Sequence, residues 1–206
     1  ARRLAGAEEA AGTDWASAPY YPFATALINV SAYIGRLLGS EGGILEMIQK
    51  NCVDVNTVLD ACAGTTRVSQ AFRQAGYAVT ANDLAAYSQV FGRCYLMNDK
   101  SASYYEDWVQ HLNNLSGVNG WFSKHYGGLV TNNKAGNAVQ KDGKKRPWQR
   151  HNTRKLDAIL NEIPKLTQDE VERSVLLTST ILAMDKVDNT MGHQVAYLKE
   201  WSKRSY

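Results

Sequence analysis

Proline is scarce and scattered in this 206-residue chain: four residues, at 19, 22, 147 and 164, with no two adjacent. Cysteine is scarcer still. Cys52, Cys62 and Cys94 make an odd number without metal-ligand spacing, a pattern that fits a reducing cytoplasm. No apolar run reaches membrane-spanning length and no secretory leader is visible, so no membrane partner is expected. Strong overall charge is also missing, with a net +3. What remains is ordinary soluble composition, 44% hydrophobic and 21% charged, and enough length for one good core with a smaller appendage.

The informative stretch is residues 57–87, TVLDACAGTTRVSQAFRQAGYAVTANDLAAY. Residues 57–61 are a short apolar run with β-branched members and read as a strand. Cys62-Ala63-Gly64-Thr65 is a tight turn of mostly small residues. A helix is expected over 66–75, with Val68 and Phe72 four apart on its inner face. Gly76 is placed to stop it in a left-handed conformation. A second strand over 77–81 then delivers Asn82-Asp83 at its carboxyl end. This is a βαβ half-unit of a doubly wound α/β sheet, and such sheets bind ligands beyond the carboxyl ends of their strands.

Small side chains at 61–65 let a ligand approach the backbone, and the helix start supplies free N–H groups. Asp83 follows Gly64 by 19 positions, near the spacing at which an acid meets ribose hydroxyls. The turn is not the dinucleotide fingerprint, because Thr66 and Val68 stand where further glycines belong. A nucleoside without phosphates fits better than a pyrophosphate. Asp60 ends an apolar strand with an uncovered charge, which is costly unless paired; a cationic ligand would pair it. Cys62 is read as a small packing residue in preference to a reactive thiol.

In chain order, residues 1–20 are Ala-rich and weakly patterned and read as a mobile arm. Residues 21–39 mix small and apolar types, with a turn at Tyr33-Ile34-Gly35. A helix is expected over 41–50, with Ile44, Leu45 and Ile48 on one face. The core unit is followed by an amphipathic helix over 84–97, carrying Tyr87, Val90, Phe91 and Tyr95, and another over 102–115 with Trp108, Val109 and Leu112. The α/β core is thus placed at 21–115.

Character changes at 116. Residues 116–155 are rich in Gly, Asn and Lys and read as a long irregular insertion, a kind of segment that is usually functional or disordered. Between 134 and 155 stand Lys134, Lys141, Lys144, Lys145, Arg146, Arg150, Arg154 and Lys155 against one acid, Asp142. This block carries +7, so the rest of the chain sums to −4. Such local charge is the footprint of phosphate-backbone binding, and Trp148 and His151 could stack on bases. A solvated basic loop is the competing reading.

From 156 to 206 the pattern is helical. Asn152 is a plausible N-cap for a helix striped by Leu156, Ile159, Leu160 and Ile163 and ended by Pro164. Thr167 to Glu170 reads as a capping box opening a long helix, apolar nearly all round at 175–184 and therefore buried. Its end, Asp185-Lys186-Val187-Asp188-Asn189-Thr190-Met191-Gly192, is polar enough that a ligand site and a satisfied core cluster are equally open readings. Residues 195–201 form a last short amphipathic segment.

Three of these blocks together resemble a known family. VLDACAGTTRVSQAFRQAGYAVTANDLAAYS is similar to the cofactor-binding motif of S-adenosylmethionine-dependent DNA adenine (N6) methyltransferases. AYIG at 32–35 resembles the cofactor motif that precedes it, and LLTSTILAMDKVDNTMGHQVAYLKEW at 176–201 a helix-and-turn block between the family's cofactor and catalytic halves. The resemblance implies a Rossmann-like methyltransferase sheet, incomplete in this chain, with helical additions and a basic irregular insertion. It implies that Asp60, Cys62, Ala63, Gly64 and Thr65 hold the methionine part of S-adenosylmethionine, with Asp60 near its ammonium group. Asn82 and Asp83 would lie at the ribose, Leu84 beside the adenine, and Tyr33, Ile34 and Gly35 along the methionine side. The family has Phe at the place of Cys62, a second Gly at Thr66, and Gly-Ser-Lys where this chain has Gly35-Arg36.

One part is absent. The family transfers its methyl group with an Asp/Asn-Pro-Pro-Tyr/Phe motif acting on an adenine flipped from the duplex, and these residues contain no Pro-Pro pair. The expectation is therefore a cytoplasmic, prokaryotic chain that binds S-adenosylmethionine and double-stranded DNA, the latter through Lys144, Lys145, Arg146, Arg150 and Arg154. It would methylate adenine only together with a catalytic half supplied by missing sequence or a second chain. A non-enzymatic DNA-binding module with a degenerate methyltransferase core is the alternative. A small-molecule or protein methyltransferase, for which the basic block would be dispensable, is the third reading.

Overall fold

Alternation of small and β-branched residues sets the centre of the chain. In the computed structural model, which describes residues 43–191 and 197–206, helix α1 (Ile44–Asn51) leads into strand β1 (Thr57–Asp60). A tight turn and helix α2 (Arg67–Gln74) return the chain to strand β2 (Ala78–Ala81). The two strands pair in parallel, from Thr57 beside Ala78 to Asp60 beside Ala81. The expected βαβ half-unit is therefore present, with Gly76 left-handed at φ 94° behind α2. The segments at 1–20 and 21–39, with Tyr33, Ile34 and Gly35, lie outside the described residues.

Only one side of the pair is covered among the described residues. Val58, Asp60, Val79 and Ala81 are half-buried, whereas Thr57, Leu59, Ala78 and Thr80 are exposed. Phe72 of α2 packs in the covered layer at 2% exposure and meets Tyr77 edge to face.

The main core lies among helices. The expected helix over 84–97 is shorter and mixed. Helix α3 (Ala86–Gly92) continues into a wider π-helical turn at Arg93–Met97. A 3-10 turn (Ala102–Tyr105) opens helix α4 (Glu106–Asn114). Phe91, Tyr95, Tyr105, Leu112, Ile159, Ile163, Val175 and Leu176 form one buried cluster with Cys94. Burial pushes the Cys94 thiol up to about 12, so it acts as a small apolar residue.

Residues 116–155 are irregular but packed. They contain helix α5 (Trp121–His125) and two two-residue strands, β3 (Gly127–Gly128) and β4 (Trp148–Gln149), paired in parallel. Gly127, Gly128, Gly136, Ala138, Val139 and Trp148 are buried. Helix α6 (Arg150–Leu166) starts before the expected cap: Gln149 is its N-cap, and Asn152 lies inside, donating from Nδ2 to the Ser205 carbonyl at 3.0 Å. Pro164 does not end it. The helix runs two residues further, and the Gln168 side chain takes up the Pro164 carbonyl at 2.6 Å.

Helix α7 (Glu170–Lys186) is buried along much of its length, as its apolar middle requires. Its cap is Asp169, whose carboxylate accepts from Val171 and Glu172 N–H at 2.9 Å each, and not the expected Thr167. Aspartate is the stronger cap here because two amides converge on one charged oxygen. Thr167 is engaged elsewhere, with Glu172 at 2.5 Å. After α7, Thr190 and Tyr197 form an isolated antiparallel bridge, and Trp201 is buried at 6% exposure.

Candidate functional site

The carboxyl ends of β1 and β2 hold the candidate ligand residues together through side chains. Asp83 is the knot. One carboxylate oxygen accepts from the Gly64 N–H at 2.8 Å and the other from the Ala85 N–H at 2.8 Å. These amides, Ala85 first and Gly64 second, hold its carboxyl below the ordinary carboxylate value. Asn82 completes the tie: its Nδ2 donates to the Ala61 carbonyl at 3.0 Å, and its own carbonyl accepts from Ala63 at 2.9 Å. Gly64 sits at φ 53° with nothing within 4 Å of an added Cβ. Open space beside a left-handed glycine is what a close ligand approach needs.

Thr66 explains why a second glycine suits this turn. It is left-handed at φ 62°, an unusual state for a β-branched residue. Its side chain is fully buried and anchored, with Oγ1 donating to the Thr65 carbonyl at 2.7 Å and accepting from Gln70 Nε2 at 2.9 Å. Those bonds offset part of a strain of about 1 kcal/mol.

Asp60 is not left bare. Ser69 Oγ, fully buried on α2, donates to Asp60 Oδ2 at 2.6 Å. Cys62 is exposed, contrary to its reading as a packing residue, because the turn buries its later residues, Thr65 and Thr66, in its place. Thr65 is buried at 7% exposure, whereas Leu84 is fully exposed.

A groove of about 790 Å³ opens from this point, lined by Ala63, Asn82, Asp83 and Leu84 and continuing past β2 to Arg93 and Met97 in the π turn. The widening of α3 therefore shapes a groove wall, a frequent use of π turns. Asp60, Cys62, Gly64 and Thr65 are not among its lining residues. The residues that line the groove could receive a nucleoside, and Asp60 beside it could face a cationic tail. Asp83 offers remaining lone pairs to hydroxyls, Leu84 an apolar surface to a base, and Asp60 a carboxylate to an ammonium group.

The basic block divides in two. Lys145 Nζ donates to the Tyr197 carbonyl at 2.6 Å, Arg154 to the Gly117 carbonyl at 3.0 Å, and Arg146 pairs with Asp142 at 2.6 Å. Lys155 reaches the Asn113 and Leu115 carbonyls. Lys145, Arg154 and Lys155 thus fasten backbone, and Arg146 is held by a neighbouring acid. Lys134, Lys141, Lys144 and Arg150 are exposed, with no ion pair among the described residues. Trp148 cannot stack on a base: it is 1% exposed and donates from Nε1 to the Met184 carbonyl at 3.3 Å. The apolar wall of α6 and α7 captures it. His151 is exposed, and partial desolvation lowers its pKa.

The polar cluster after α7 is chiefly a satisfied core feature. Asp188, 1% exposed, pairs with Arg204 and accepts from Thr190 Oγ1. Asn189 bridges Pro147, Leu198 and Ser202. Asp185 differs: burial and the neighbouring Asp188 push its carboxyl up to about 8.

Sequence reading missed Ser69, Asp157 and Trp121. Asp157 is buried on α6 and accepts from the N–H groups of Gly120, Phe122 and Ser123 and from Ser123 Oγ, at 2.6–3.0 Å. An acid beside the apolar stripe of α6 was the available signal. Trp121, 57% exposed, sits on the short helix so anchored.

A family model described as the D12 class of N6 adenine-specific DNA methyltransferases matches residues 42–205. Among curated proteins, modification methylase StsI of Streptococcus sanguinis is 28% identical over 190 residues, covering 82% of this chain and 27% of that protein. Modification methylase LlaI of Lactococcus lactis subsp. lactis is 28% identical over 185 residues, covering 82% of this chain and 28% of that protein. The chain thus spans less than a third of the length of these relatives. No solved structure matches it.

Proposed function

The chain belongs to the D12 class of N6 adenine-specific DNA methyltransferases, and from that premise we propose that it is the S-adenosylmethionine-binding part of a site-specific DNA adenine methyltransferase. The observation that carries the proposal is the Asp83 carboxylate bonded to Gly64, which fastens the small-residue turn to the acid at the ends of two parallel strands. In this reading Asp83 receives the ribose hydroxyls and Leu84 packs on the adenine. Asp60, steadied by Ser69, faces the ammonium group, and the 62–65 turn follows the methionine chain; Tyr33, Ile34 and Gly35 are assigned to the same ligand. When bound, the sulfonium supplies a methyl group to an amine nucleophile.

The adenine is presented by residues outside this sequence, because the 206 residues hold no Pro-Pro motif. Transfer therefore needs a catalytic half, from further sequence or from a second chain. Double-stranded DNA is the proposed substrate, with Lys144 and Arg150 as its phosphate contacts and Lys145, Arg146 and Arg154 adding positive charge behind them. Calorimetric titration with S-adenosylmethionine and with S-adenosylhomocysteine tests the reading. Saturable binding of both, weakened at least tenfold by Asp83→Ala, is expected. Absence of heat with either ligand, at protein concentrations that keep the chain folded, overturns it.

A further inference from the structure

We infer that helix α5 presents Trp121 as a fixed stacking platform for a DNA base. This inference rests on the DNA-binding reading above and adds to it a contact outside the 134–155 block. Of the four tryptophans among the described residues, three are in or against the core: Trp148 is 1% exposed, Trp201 6%, and Trp108 packs on the helical cluster. Trp121 is the exception at 57% exposure. It is not loosely held. The buried carboxylate of Asp157 takes four hydrogen bonds from Gly120, Phe122 and Ser123. Gly120 is pressed so close that an added Cβ would stand 2.6 Å from the Asp157 carboxyl carbon. The indole itself is braced by Phe122 edge-on at 4.9 Å, by His125 at 4.9 Å and by Tyr126 at 5.4 Å.

A large apolar ring kept exposed on a rigid mount is the arrangement of a recognition anchor. The surrounding charge selects its partner. No acidic residue occurs between Asp107 and Asp142. Lys124 and His125 are exposed on α5 itself, and the exposed Arg150 lies beside Gly127, two residues past its end, with its Cα 3.2 Å from a Cβ built there. An exposed aromatic near the Lys124 and Arg150 cations fits a polyanion that also carries flat rings, which is nucleic acid. Stacking needs a base with a free face, unpaired or flipped from the duplex, and tolerates any such base, so the contact adds affinity without reading sequence.

The test is binding of a fluorescent duplex, and of the same strand unpaired, to the full chain and to Trp121→Ala, Trp121→Phe and Lys124→Gln/Arg150→Gln variants across a salt series. Loss of one stacked base predicts an affinity drop of about tenfold for Trp121→Ala, with an unchanged salt slope. Trp121→Phe should recover most of it. The double cation variant should instead flatten the salt slope by about two. Circular dichroism keeps misfolded variants out of the comparison. Wild-type affinity in Trp121→Ala overturns this inference and leaves the DNA-binding reading standing. No DNA binding by the unaltered chain removes both. If sedimentation shows that Trp121→Ala dissolves a dimer without changing DNA affinity, the surface joins copies of the chain and the stacking role falls.

Discussion

The Gly64 N–H and an Asp83 carboxylate oxygen stand 2.8 Å apart, joined across 19 residues of chain. That bond gives Asp83 two tasks, ligand acceptor and staple of the turn. Asp83→Ala should therefore weaken S-adenosylhomocysteine binding at least tenfold, since bonds to a charged group contribute roughly 1.5–3 kcal/mol. Calorimetry reads the affinity. The carboxyl titrates below its ordinary value, so its contribution is present throughout the neutral range and is lost only as pH falls through that lowered value. A titration with a binding midpoint near neutrality would contradict the assignment.

Gly64 and Gly120 should respond oppositely to alanine. At Gly64 there is room for a Cβ, but the left-handed backbone disfavours it by about 1 kcal/mol. At Gly120 the Cβ meets the Asp157 carboxyl group at 2.6 Å, overpacking that costs about 1–3 kcal/mol and also disturbs the α5 cap. Chemical denaturation should find Gly120→Ala the more damaging, while cofactor titration should find Gly64→Ala the more damaging.

Lys144 and Lys145 are neighbours with different work. Lys144 is exposed, and Lys145 donates to the Tyr197 carbonyl at 2.6 Å. Lys144→Gln should leave the melting temperature unchanged and reduce the slope of log affinity against log salt by about one. Lys145→Gln should lower the melting temperature, because it frees a carbonyl that Lys145 now satisfies.

Asp185 should make stability depend on pH. Its carboxyl titrates at about 8 in the folded chain against 3.8 in a free one. Between those values the folded state keeps a proton that the unfolded state has released, so stability falls as pH rises and levels off above the folded value. The nearby charges are Asp188, Arg204 and Lys186. Denaturation of the Asp185→Asn variant from pH 5 to 9 should show a shallower decline than the unaltered chain. Parallel curves would exclude the buried carboxyl as its source.

Much of this was legible in residue patterns. The βαβ unit was, because strand alternation, a small-residue turn and a glycine stop all act locally and agree. The buried α7 was legible from its apolar run. What escaped depends on distant partners. Asn152 looks like a cap until Gln149 and the Ser205 carbonyl are placed around it. Trp148 looks like a stacking residue until α6 and α7 close over it, and no local pattern says that Lys145 is bonded to Tyr197 while Lys144 is exposed. Ser69 belongs to the same class: its partner Asp60 lies nine residues back, and only the return of α2 along the sheet brings them together.

The uneven cover of β1 and β2 has a consequence for local opening. Their ladder is four residues long, and one side carries exposed Thr57, Leu59, Ala78 and Thr80. The α6–α7 region is closed around Leu156, Ile159 and Val175. Amide protons of β1 and β2 should exchange with solvent through small fluctuations, while those of α7 wait for global unfolding. A ligand bridging Asp60 and Asp83 would tie both strand ends at once, so its occupancy should be written into the exchange rates of the sheet before any methyl group moves.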